Sequence, residues 1–465
     1  MTISAAEQYM IELINRARLN PEAEAARYNL PLNADLPAGT IGTAALEVLA
    51  PNTNLEDAAQ AHSQWMLDNN IFSHDGAIVT YDDGRVEASD PGYRIVEAGY
   101  VLAGSWAWRE NLAWSGTTGT LDLEGAIDVH HAGLYRSEGH RENTFAERIR
   151  EIGIAQVRGD FTDQGENQTY DSSMLTLNFA RTGTDHFVTG VAYTDLNNDG
   201  FYGIGEGRSG LEFIVNGTST TVAAAGGYGI AHAPDPVADV TIREGATLLA
   251  NLSIDTSNGN VKVDVVTDSA GASYLALAGD ASLVSGAITD ATLLGVADLM
   301  LVGSSDDNEL IGNEGSNIIH GVAGDDVLRG GQGRDMQWDT LTVPASASHD
   351  DTLYGGDGDD RLHGQSGSDI LSGGAGDDRL TGGGGRDTFI FDSGSDVVRD
   401  FTANVDVVHL ESAALGLATD ATVQDVLALG TIEGGHAVFE FGGGNVLRIN
   451  DVDDLSNLAA DLILL

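Results

Sequence analysis

A nine-residue repeat of glycine and aspartate runs through residues 303–390. Its clearest units read G-G-D-G-D-D-R-L-H at residues 355–363 and G-G-A-G-D-D-R-L-T at residues 373–381. The glycines permit a tight turn with positive φ, the sixth-position aspartate offers a hard oxygen ligand, and the leucine two positions later faces inward from a short strand. One turn alone buries almost no apolar surface, so successive turns must stack. The spacing therefore predicts a parallel β-roll that binds calcium.

The sixth position of the repeat carries a carboxylate or an amide throughout. Stacking brings these side chains together, and carboxylates at close range repel one another unless a divalent cation lies between them. Calcium is therefore predicted to be part of the fold. A disordered Gly/Asp-rich linker, the alternative, would not keep an apolar residue two positions after nearly every member of the column. The predicted ligands are Asn317, Asp326, Asp335, Asp351, Asp360, Asp369, Asp378 and Asp387, with Asn308 in the same column and Asp396 as a further candidate.

The repeat is interrupted once. Sixteen residues separate Asp335 from Asp351, which is one repeat plus an insertion of seven. The inserted region, residues 339–348, contains a proline and is predicted to form a surface loop. The register is the same on both sides, which predicts one interrupted roll over residues 303–402. Strand-like segments at residues 405–410, 437–441 and 446–449 are predicted to cap the roll within residues 403–465.

These nonapeptides resemble the repeats-in-toxin (RTX) family of secreted bacterial proteins. The resemblance implies an extracellular protein of a Gram-negative bacterium, exported by a type I secretion apparatus that reads an uncleaved C-terminal signal. The apolar ending at residues 461–465 is similar to such signals. The first twenty residues lack a basic segment followed by an apolar run, so no cleavable signal peptide is predicted.

The charge balance excludes several partners. The chain has 71 acidic and 22 basic residues, a formal net charge of -49, which argues against binding nucleic acid or an anionic membrane by simple electrostatics. It has no cysteine, so disulfides and thiolate metal sites are impossible. The longest apolar region, residues 274–302, is interrupted by three aspartates, and no transmembrane helix is predicted.

The N-terminal region, residues 1–186, is predicted to be an α+β domain. Capping-box patterns at Ser4 to Glu7 and Thr53 to Glu56 each precede apolar residues at helical spacing. A third amphipathic stretch covers residues 123–134, and strand-like segments follow at residues 151–157 and 174–179. Helices followed by strands, without a βαβ rhythm, indicate a layered α+β architecture.

Residues 5–182 resemble the bacterial branch of the CAP superfamily, the cysteine-rich secretory, antigen and pathogenesis-related proteins. The similarity lies in F-S-H at residues 72–74, E-N-L-A at 110–113, S-E-G-H-R-E-N at 137–143 and R-E-I-G-I at 150–154. It implies an α-β-α sandwich with a central cleft that gathers His74, Glu110 and His140. The family's second glutamate has no counterpart, although His131 or Glu124 would be able to reach the cleft from the third helix.

Two imidazoles and a carboxylate in a cleft allow three interpretations. They hold a metal such as zinc, they do acid-base work, or they form a hydrogen-bonded polar cluster that shapes a binding groove. No histidine is followed by glutamate and no G-x-S-x-G is present, which argues against the zinc-protease and lipase signatures. His62 is predicted to be a core histidine. The balance leans away from an enzyme.

Residues 187–266 are predicted to form a small β-sandwich that carries a calcium loop. Residues 195–206 fit D-x-[DN]-x-[DN]-G-x5-E, a twelve-residue calcium loop, but the flanks read as strands and not as EF-hand helices. The sandwich resembles the Cna-B-like or carboxypeptidase-regulatory-like modules of bacterial surface proteins, and the alternative to a calcium loop is an ordinary acidic surface turn. Residues 267–302 are predicted to be a connector, or already the beginning of the roll. The predicted loop ligands are Asp195, Asn197, Asp199, Phe201 through its carbonyl, and Glu206.

The leading hypothesis is a secreted calcium-binding protein that folds its roll after export and presents a CAP-like domain. By resemblance, that domain binds a lipid, sterol or cell-surface ligand. The alternatives are a secreted hydrolase that uses His74, Glu110 and His140, and a structural adhesion or surface-layer protein.

Overall fold

The structure is a computed structural model that describes residues 3–163, 165–324, 326–330 and 350–465. Two compact units divide the chain. The N-terminal unit comprises Met1–Ala238, Ile242–Thr247 and Asp255–Ala272, and the C-terminal unit comprises Asp239–Thr241, Leu248–Ile254 and Ser273–Leu465. In the described residues, no helix is long and apolar enough to cross a membrane.

Helices dominate the first part of the chain, and strands dominate the rest. The elements up to residue 267 are α1 Ala5–Leu19, α2 Pro21–Arg27, β1 Ala50–Pro51, α3 Thr53–Asn69, β2 Ile78–Thr80, β3 Val86–Ala88, α4 Pro91–Glu97, β4 Ala107–Thr117, α5 Ala126–Arg136, α6 Glu138–Thr144, β5 Glu151–Asp163, β6 Gln168–Arg181, β7 His186–Thr194, β8 Leu211–Val215, β9 Thr218–Thr221, β10 Gly227–His232, β11 Ala238–Glu244, β12 Thr247–Ile254 and β13 Val261–Thr267.

Almost all later elements are short strands. They are β14 Ser273–Ala278, β15 Ala281–Gly286, β16 Ala291–Leu293, β17 Met300–Val302, β18 Glu309–Ile311, β19 Ile318–Ala323, β20 Val327–Arg329, β21 Thr352–Asp357, β22 Arg361–Ser366, β23 Ile370–Ala375, β24 Arg379–Gly384, β25 Thr388–Phe391, β26 Ser395–Val398, β27 Val407–Leu410, α7 Val423–Leu427, β28 Gly430–Glu433, β29 His436–Gly442, β30 Asn445–Ile449, a 3-10 helix Leu455–Leu458 and β31 Leu462–Leu464.

Local sequence explains where the first helices begin. The hydroxyl of Ser4 accepts a hydrogen bond from the Glu7 backbone N–H, and the Glu7 carboxylate accepts one from the Ser4 backbone N–H, so the predicted capping box starts α1. The second predicted box is wrong, because α3 is capped one residue earlier. Asn52 Oδ1 accepts hydrogen bonds from the backbone N–H of Asn54 at 2.9 Å and of Leu55 at 3.2 Å. An asparagine amide caps a helix as well as a hydroxyl does.

The first domain is built on the sheet β1-β5-β6-β4. Alternate residues of a strand point to opposite faces. On one face, Leu175, Leu177 and Phe179 of β6 pack with apolar residues of α1 and α5. On the other face, Met174 packs with residues of α3 such as Met66. Helices therefore cover both faces, which confirms the predicted α-β-α sandwich.

Helix α3 approaches β5 so closely that only glycine fits at residue 153. A Cβ built on Gly153 would lie 2.1 Å from the Glu56 backbone N and 2.2 Å from the Leu55 carbonyl carbon. We expect Gly153→Ala to lower the free energy of unfolding by about 1–3 kcal/mol, because backbone has to move apart.

Thermal unfolding of the full chain, followed by tryptophan fluorescence with calcium present, measures this change. The matched control is Gly133→Ala in α5, where an added Cβ meets no atom within 4 Å. That control is expected to raise the free energy of unfolding by up to about 1 kcal/mol, because alanine favours a helix more than glycine does. Equal melting temperatures for the two variants would contradict the prediction.

The middle region contributes strands and a buried charge cluster to the N-terminal unit. Strand β7 pairs antiparallel with β10 and parallel with β13, and β8 pairs antiparallel with β9. Lys262 of β13 points at α1, where its Nζ lies 2.9 Å from Glu12 Oε2, and it also forms an ion pair with Asp264. The three side chains are at most 6% exposed. This cluster joins the first domain to the middle strands.

The C-terminal unit contains a parallel β-roll, as the nonapeptides predict. Successive strands alternate between two ladders, so each strand pairs with the next but one. Leu310, Leu328, Leu362 and Leu380 form the inward row of one ladder. In the other ladder, β15, β17, β19, β21, β23, β25, β27 and β31 follow one another in parallel pairs.

The roll begins before the first clear nonapeptide. Residues 273–302, part of the predicted connector, form β14 to β17, and parallel pairs link β14 to β16 and β15 to β17. Asp335 and the predicted insertion at residues 339–348 lie outside the described residues. On either side of them, Ile319 pairs with Leu353 and Leu328 with Leu362, which is the register of one continuous roll. At the C-terminus, β28, β29 and β30 form an antiparallel ribbon on the roll.

Candidate functional site

Three side chains from different elements meet at a buried carboxylate in the first domain. Glu110 of β4 is 2% exposed. Its Oε1 lies 2.8 Å from Nδ1 of His74, which follows α3, and its Oε2 accepts a hydrogen bond from Arg94 Nη2 of α4 at 2.5 Å. Arg94 also donates to the backbone carbonyl of His74 at 2.9 Å. Both oxygens of Glu110 are therefore engaged.

His140 joins this group from α6. Its ring centroid lies 6.3 Å from that of His74, and burial, together with the neighbouring His74, lowers its pKa. The imidazole of His140 is therefore neutral at neutral pH. Asn143 fixes α6 against β4 by donating to the Glu110 backbone carbonyl at 3.1 Å. The structure thus brings together the three predicted residues, His74, Glu110 and His140.

Sequence reasoning missed Arg94 and Asn143. Arg94 lies in a seven-residue helix that starts at Pro91, and nothing in that helix marks the arginine as the partner of a glutamate sixteen residues away. Asn143 stands three residues after His140 inside the stretch that resembles the CAP superfamily, and its hydrogen bond to Glu110 explains that position.

A cavity of about 680 Å³ opens beside the cluster. Its lining combines apolar and aromatic side chains with polar and cationic ones. Trp106, at 52% exposure, is the most accessible aromatic side chain of that lining. The lining residues are His74, Pro91, Trp106, Ala107, Trp108, Arg109, Glu110, Asn143, Ala146, Arg148 and Ile149.

The other candidate residues lie elsewhere. His131 is buried on α5, where its Nδ1 lies 2.7 Å from the Tyr28 hydroxyl and 3.7 Å from Glu24 Oε1, so it does not join the cleft. Glu124 is exposed just before α5. His62 is buried, and its Nε2 lies 2.9 Å from the Ser73 carbonyl oxygen, in agreement with a core role. Burial lowers the pKa of His131 and of His62 to about 4.

Zinc in the cleft stays a prediction. Within the ranges that the structure describes, no three His, Asp or Glu side chains gather at a point where a metal ion would sit. Since both Glu110 oxygens already have partners, the cleft is better suited to hydrogen bonding than to metal ligation.

A second set of functional residues forms two rows of buried carboxylates in the roll. In each row, one carboxylate oxygen accepts the backbone N–H of the row member one turn earlier. Asp369 Oδ1 accepts from Asp351 N at 2.7 Å, Asp378 Oδ1 from Asp360 N at 2.8 Å, and Asp387 Oδ1 from Asp369 N at 3.0 Å. Asn317 and Asp326 continue the rows. The predicted ligands that the structure describes therefore do lie in rows.

The second oxygen of several row carboxylates is buried without a hydrogen-bond donor. Among the described residues this holds for Oδ2 of Asp369, Asp378 and Asp396. Glycine makes room for these atoms, since a Cβ on Gly364 would lie 2.3 Å from Asp369 Oδ2 and one on Gly373 would lie 2.1 Å from Asp378 Oδ2. Burial raises the pKa of Asp369 and of Asp378 to about 7, and that of Asp396 to about 8.

These rows fit calcium. Orphaned carboxylate oxygens are hard ligands, and main-chain carbonyl oxygens lie beside them. A Cβ on Gly364, for example, would approach both Asp369 Oδ2, at 2.3 Å, and the Gly382 carbonyl oxygen, at 2.7 Å. Since the described residues offer no cluster of three acidic side chains, a calcium ion, which takes six to eight oxygens, would draw on these carbonyls as well.

The raised pKa values predict how the calcium-free roll responds to pH. Each carboxyl holds its proton in the folded roll up to about pH 7 or 8, and in the unfolded chain only to about pH 4. Their contribution to stability is therefore present below about pH 4 and is lost as pH rises through 7 to 8. In chelator, we therefore expect the roll to keep more of its strand signal at pH 5 than at pH 8, where most of that signal is lost.

Far-ultraviolet circular dichroism of the full chain in chelator, at the two pH values, measures this signal. The control is the same pair of pH values with calcium, where protons compete with the cation for the same oxygens and the trend reverses. A calcium-free roll that is more stable at pH 8 than at pH 5 would contradict the sign.

In the predicted calcium loop of the middle region, carboxylate oxygens accept hydrogen bonds from backbone N–H groups of the same loop. Asp195 Oδ2 accepts from Gly200 N at 2.7 Å, and the two oxygens of Glu206 accept from Leu196 N at 3.0 Å and Gly203 N at 2.6 Å. Burial raises the pKa of Glu206, and the nearby carboxylates of Asp195 and Asp199 raise it further. Hydrogen bonds from backbone N–H groups lower it and offset part of this rise. The loop runs between β7 and β8 and thus between strands, as predicted. Calcium binding at Asp195, Asn197, Asp199, Phe201 and Glu206 stays a prediction.

Comparisons with known proteins find matches to two separate parts of the chain. Residues 11–171 match the cysteine-rich secretory protein (CAP) family. Residues 302–336, 348–371 and 363–398 match the RTX calcium-binding nonapeptide repeat. A solved structure of an extracellular protein containing a SCP domain, from Bacillus anthracis str. Ames, is 24% identical over 36% of this chain and 40% of its own, with a TM-score of 0.20. A comparison with curated proteins gives no match.

Proposed function

From the premise that one chain carries a CAP domain and RTX calcium-binding repeats, we propose a protein that a Gram-negative bacterium exports by type I secretion and that folds its roll on extracellular calcium. The two families support a calcium-binding, secreted protein. The exported protein presents the cleft of its CAP domain to a lipid, a sterol or a cell-surface ligand of similar amphipathic chemistry.

The observation that carries this proposal is that both carboxylate oxygens of Glu110 already have partners. Its carboxylate is held by His74 and Arg94, so it is not available as a free general base. A carboxylate fixed in this way shapes and orients the cleft wall. Binding therefore accounts for the geometry better than hydrolysis does.

The cavity beside Glu110 favours an amphipathic ligand. Trp106, Trp108 and Ile149 offer an apolar wall for a hydrocarbon body, and Arg109 and Arg148 offer guanidinium groups for an acidic or hydroxylated head. Binding sites commonly combine a mostly apolar lining with a few polar groups that fix orientation. Trp106 is the natural anchor because a half-exposed tryptophan gains most from being covered.

Calorimetric titration of the full chain in calcium with palmitate and with cholesterol, each presented in detergent micelles, tests the proposal. Trp106→Ser is expected to weaken binding by at least about tenfold, which corresponds to about 1.4 kcal/mol. The matched control is Val129→Ser on α5, which removes an apolar side chain of 60% exposure away from the cavity lining.

Failure of the wild-type chain to bind either probe would reject the lipid proposal. Equal weakening by the two variants would place the binding outside the cleft. Hydrolysis of an ester probe that is abolished by His74→Ala would instead establish the hydrolase.

A further inference from the structure

One outward face of the roll carries an arginine on, or directly after, each of five neighbouring strands. The ladder β20-β22-β24-β26-β30 turns its leucines and valines inward, and the residues on either side of them point outward. The outward arginines are Arg329 of β20, Arg361 of β22, Arg379 of β24, Arg399 directly after β26 and Arg448 of β30. We call this set the arginine strip. It is notable in a chain with 22 basic and 71 acidic residues.

Strand register places the arginine strip in two adjacent columns. In the first column Arg361 lies beside Arg379, Arg379 beside Val397, and Val397 beside Arg448. In the second column Arg329 lies beside His363, which lies beside Thr381. Arg399 continues the second column, because its backbone N–H bonds the carbonyl of Leu380, the residue before Thr381. The arginines thus occupy both columns, with Arg361, Arg379 and Arg448 in the first and Arg329 and Arg399 in the second.

The opposite face of the roll shows that the fold does not require these arginines. Its ladder has outward residues at the same positions of the repeat, and they carry no formal charge. They include Met300, Ile318, Thr352, Ile370, Thr388 and Val407 in one column and Tyr354 and Ser372 in the other. Since both faces stack equally well, a structural role does not explain why charge is restricted to one of them.

The arginine strip is accessible and only partly neutralised. Arg361, Arg379 and Arg399 are exposed, and among the residues that the structure describes none of them has a carboxylate within ion-pair distance. Arg329 pairs with Glu309, and Arg448 Nε donates to Asn450 Oδ1 at 3.0 Å. His363 lies between Arg329 and Arg399. Its burial chiefly, and then both guanidiniums, lower its pKa.

The dimensions of the arginine strip follow from sheet geometry. Neighbouring strands lie about 4.8 Å apart, and two outward residues of one strand lie about 7 Å apart. Five strands therefore give a strip about 19 Å long and about 7 Å wide. Acidic side chains border it. Asp359 and Asp377, both exposed, lie two residues before β22 and β24, and the half-buried Asp400 follows Arg399. The accessible cationic surface is as narrow as a single extended polymer chain.

We propose that the arginine strip binds a linear acidic polysaccharide that lies along the roll axis and presents carboxylate or sulfate groups to successive strands. Arginine suits these anions because its planar guanidinium donates two parallel hydrogen bonds to one group. Thr381 and His363, between the arginines, offer hydrogen bonds to sugar hydroxyls. This is a second binding site, independent of the CAP cleft.

The same geometry disfavours other polyanions. A bilayer surface would press against the bordering aspartates as well as the arginines, whereas a single chain in the strip would avoid them. Nucleic acid carries one charge per about 1.7 Å of duplex, so the chain's net charge of -49 repels it more than a sparsely charged sugar polymer. At physiological ionic strength that repulsion is screened beyond about 8 Å, and contacts within the strip remain strong.

Biolayer interferometry of the full chain in calcium tests the proposal, with immobilised hyaluronate and chondroitin sulfate as probes and neutral dextran as a blank. The combined variant Arg361→Gln, Arg379→Gln, Arg399→Gln is expected to bind both acidic probes about a hundredfold more weakly. The slope of log affinity against log salt is expected to become about 2 less steep. The matched control removes three exposed arginines outside the strip, as Arg85→Gln, Arg243→Gln, Arg386→Gln, and is expected to bind within about twofold of wild type.

Calcium-dependent circular dichroism that matches wild type establishes that both triple variants fold. Equal weakening by the two triple variants would overturn the proposal, since it would show only a response to net charge. Absence of wild-type binding to both acidic probes would also overturn it. So would tighter binding, through the same arginines, to single-stranded DNA or to phosphatidylglycerol vesicles.

Discussion

Chelation of calcium is expected to unfold the roll at neutral pH. The rows of buried carboxylates place Asp360 beside Asp378 and Asp369 beside Asp387, and one oxygen of Asp378 and of Asp387 accepts the backbone N–H of its neighbour in the preceding turn. Without a cation, folding has to bury these carboxyl groups either charged and close together or protonated above their usual pKa, and both alternatives cost free energy. A column of single inward leucines does not offset that cost, because each turn buries little.

The expected result is a loss of most strand signal from the C-terminal unit in chelator and its recovery on adding calcium. Far-ultraviolet circular dichroism of the full chain, titrated with calcium at pH 7.5, measures it. Magnesium is the control, because it demands a tighter octahedral site and dehydrates reluctantly, and it is expected to restore little signal. An unchanged spectrum in chelator would contradict a calcium-dependent roll.

A matched pair of variants separates calcium binding from simple repulsion. Asp378→Asn removes a charge and a strong ligand from the row, whereas Asp425→Asn removes an exposed charge from the capping box of α7. Asp378→Asn is expected to raise the calcium concentration at the midpoint of folding several-fold, because amides ligate calcium more weakly than carboxylates. The second variant is expected to leave the midpoint unchanged. A lower midpoint for Asp378→Asn would show that repulsion dominates.

Replacement of Lys262 by methionine is expected to destabilise the N-terminal unit by about 3–5 kcal/mol. Lys262 is the cation of a buried cluster in which Glu12 Oε2 lies 2.9 Å from its Nζ and Asp264 forms the second ion pair. Its removal leaves two carboxylates buried without a counter-charge, and breaking a buried pair on one side costs that much. Because methionine fills most of the volume of the lysine side chain, the loss of stability measures the missing charge and not a cavity.

Chemical denaturation in calcium, followed by tryptophan fluorescence, measures this loss. Four of the five tryptophans, Trp65, Trp106, Trp108 and Trp114, lie in the first domain. The matched control is Arg243→Met, which removes an exposed cation and is expected to change stability by less than about 0.5 kcal/mol. Burial already raises the pKa of Asp264 to about 6, above its unfolded value.

The sign of the pH dependence follows from this raised pKa. A carboxyl that keeps its proton longer in the folded state contributes stability at low pH and loses it as pH rises through the folded pKa. Loss of Lys262 would raise the pKa of Asp264 further. The defect of Lys262→Met is therefore expected to be smaller at pH 5 than at pH 8, and the reverse order would reject this account of the cluster.

The nine-residue spacing is enough to predict the roll and its rows of buried aspartates, and family resemblance is enough to predict the α-β-α sandwich. A repeat of nine residues dictates which side chains face inward and which stack, because neighbouring strands differ only by a fixed translation. The inward leucines and the aspartate rows could therefore be read directly from spacing. The capping box at Ser4 is just as local, and it was predicted correctly.

The tertiary structure alone decided the contacts between residues far apart in the chain. It placed Arg94 on the second oxygen of Glu110, it took His131 away from the cleft to Tyr28 and Glu24, and it joined Lys262 to Glu12 across 250 residues. The arginine strip belongs to the same class, since five arginines at irregular sequence intervals share one face only after the register is known. In a repeating structure, the sequence spacing alone determines which residues are neighbours. In a structure that does not repeat, the neighbours depend on how distant elements pack, and the buried area and geometry of that packing are not encoded in any short segment.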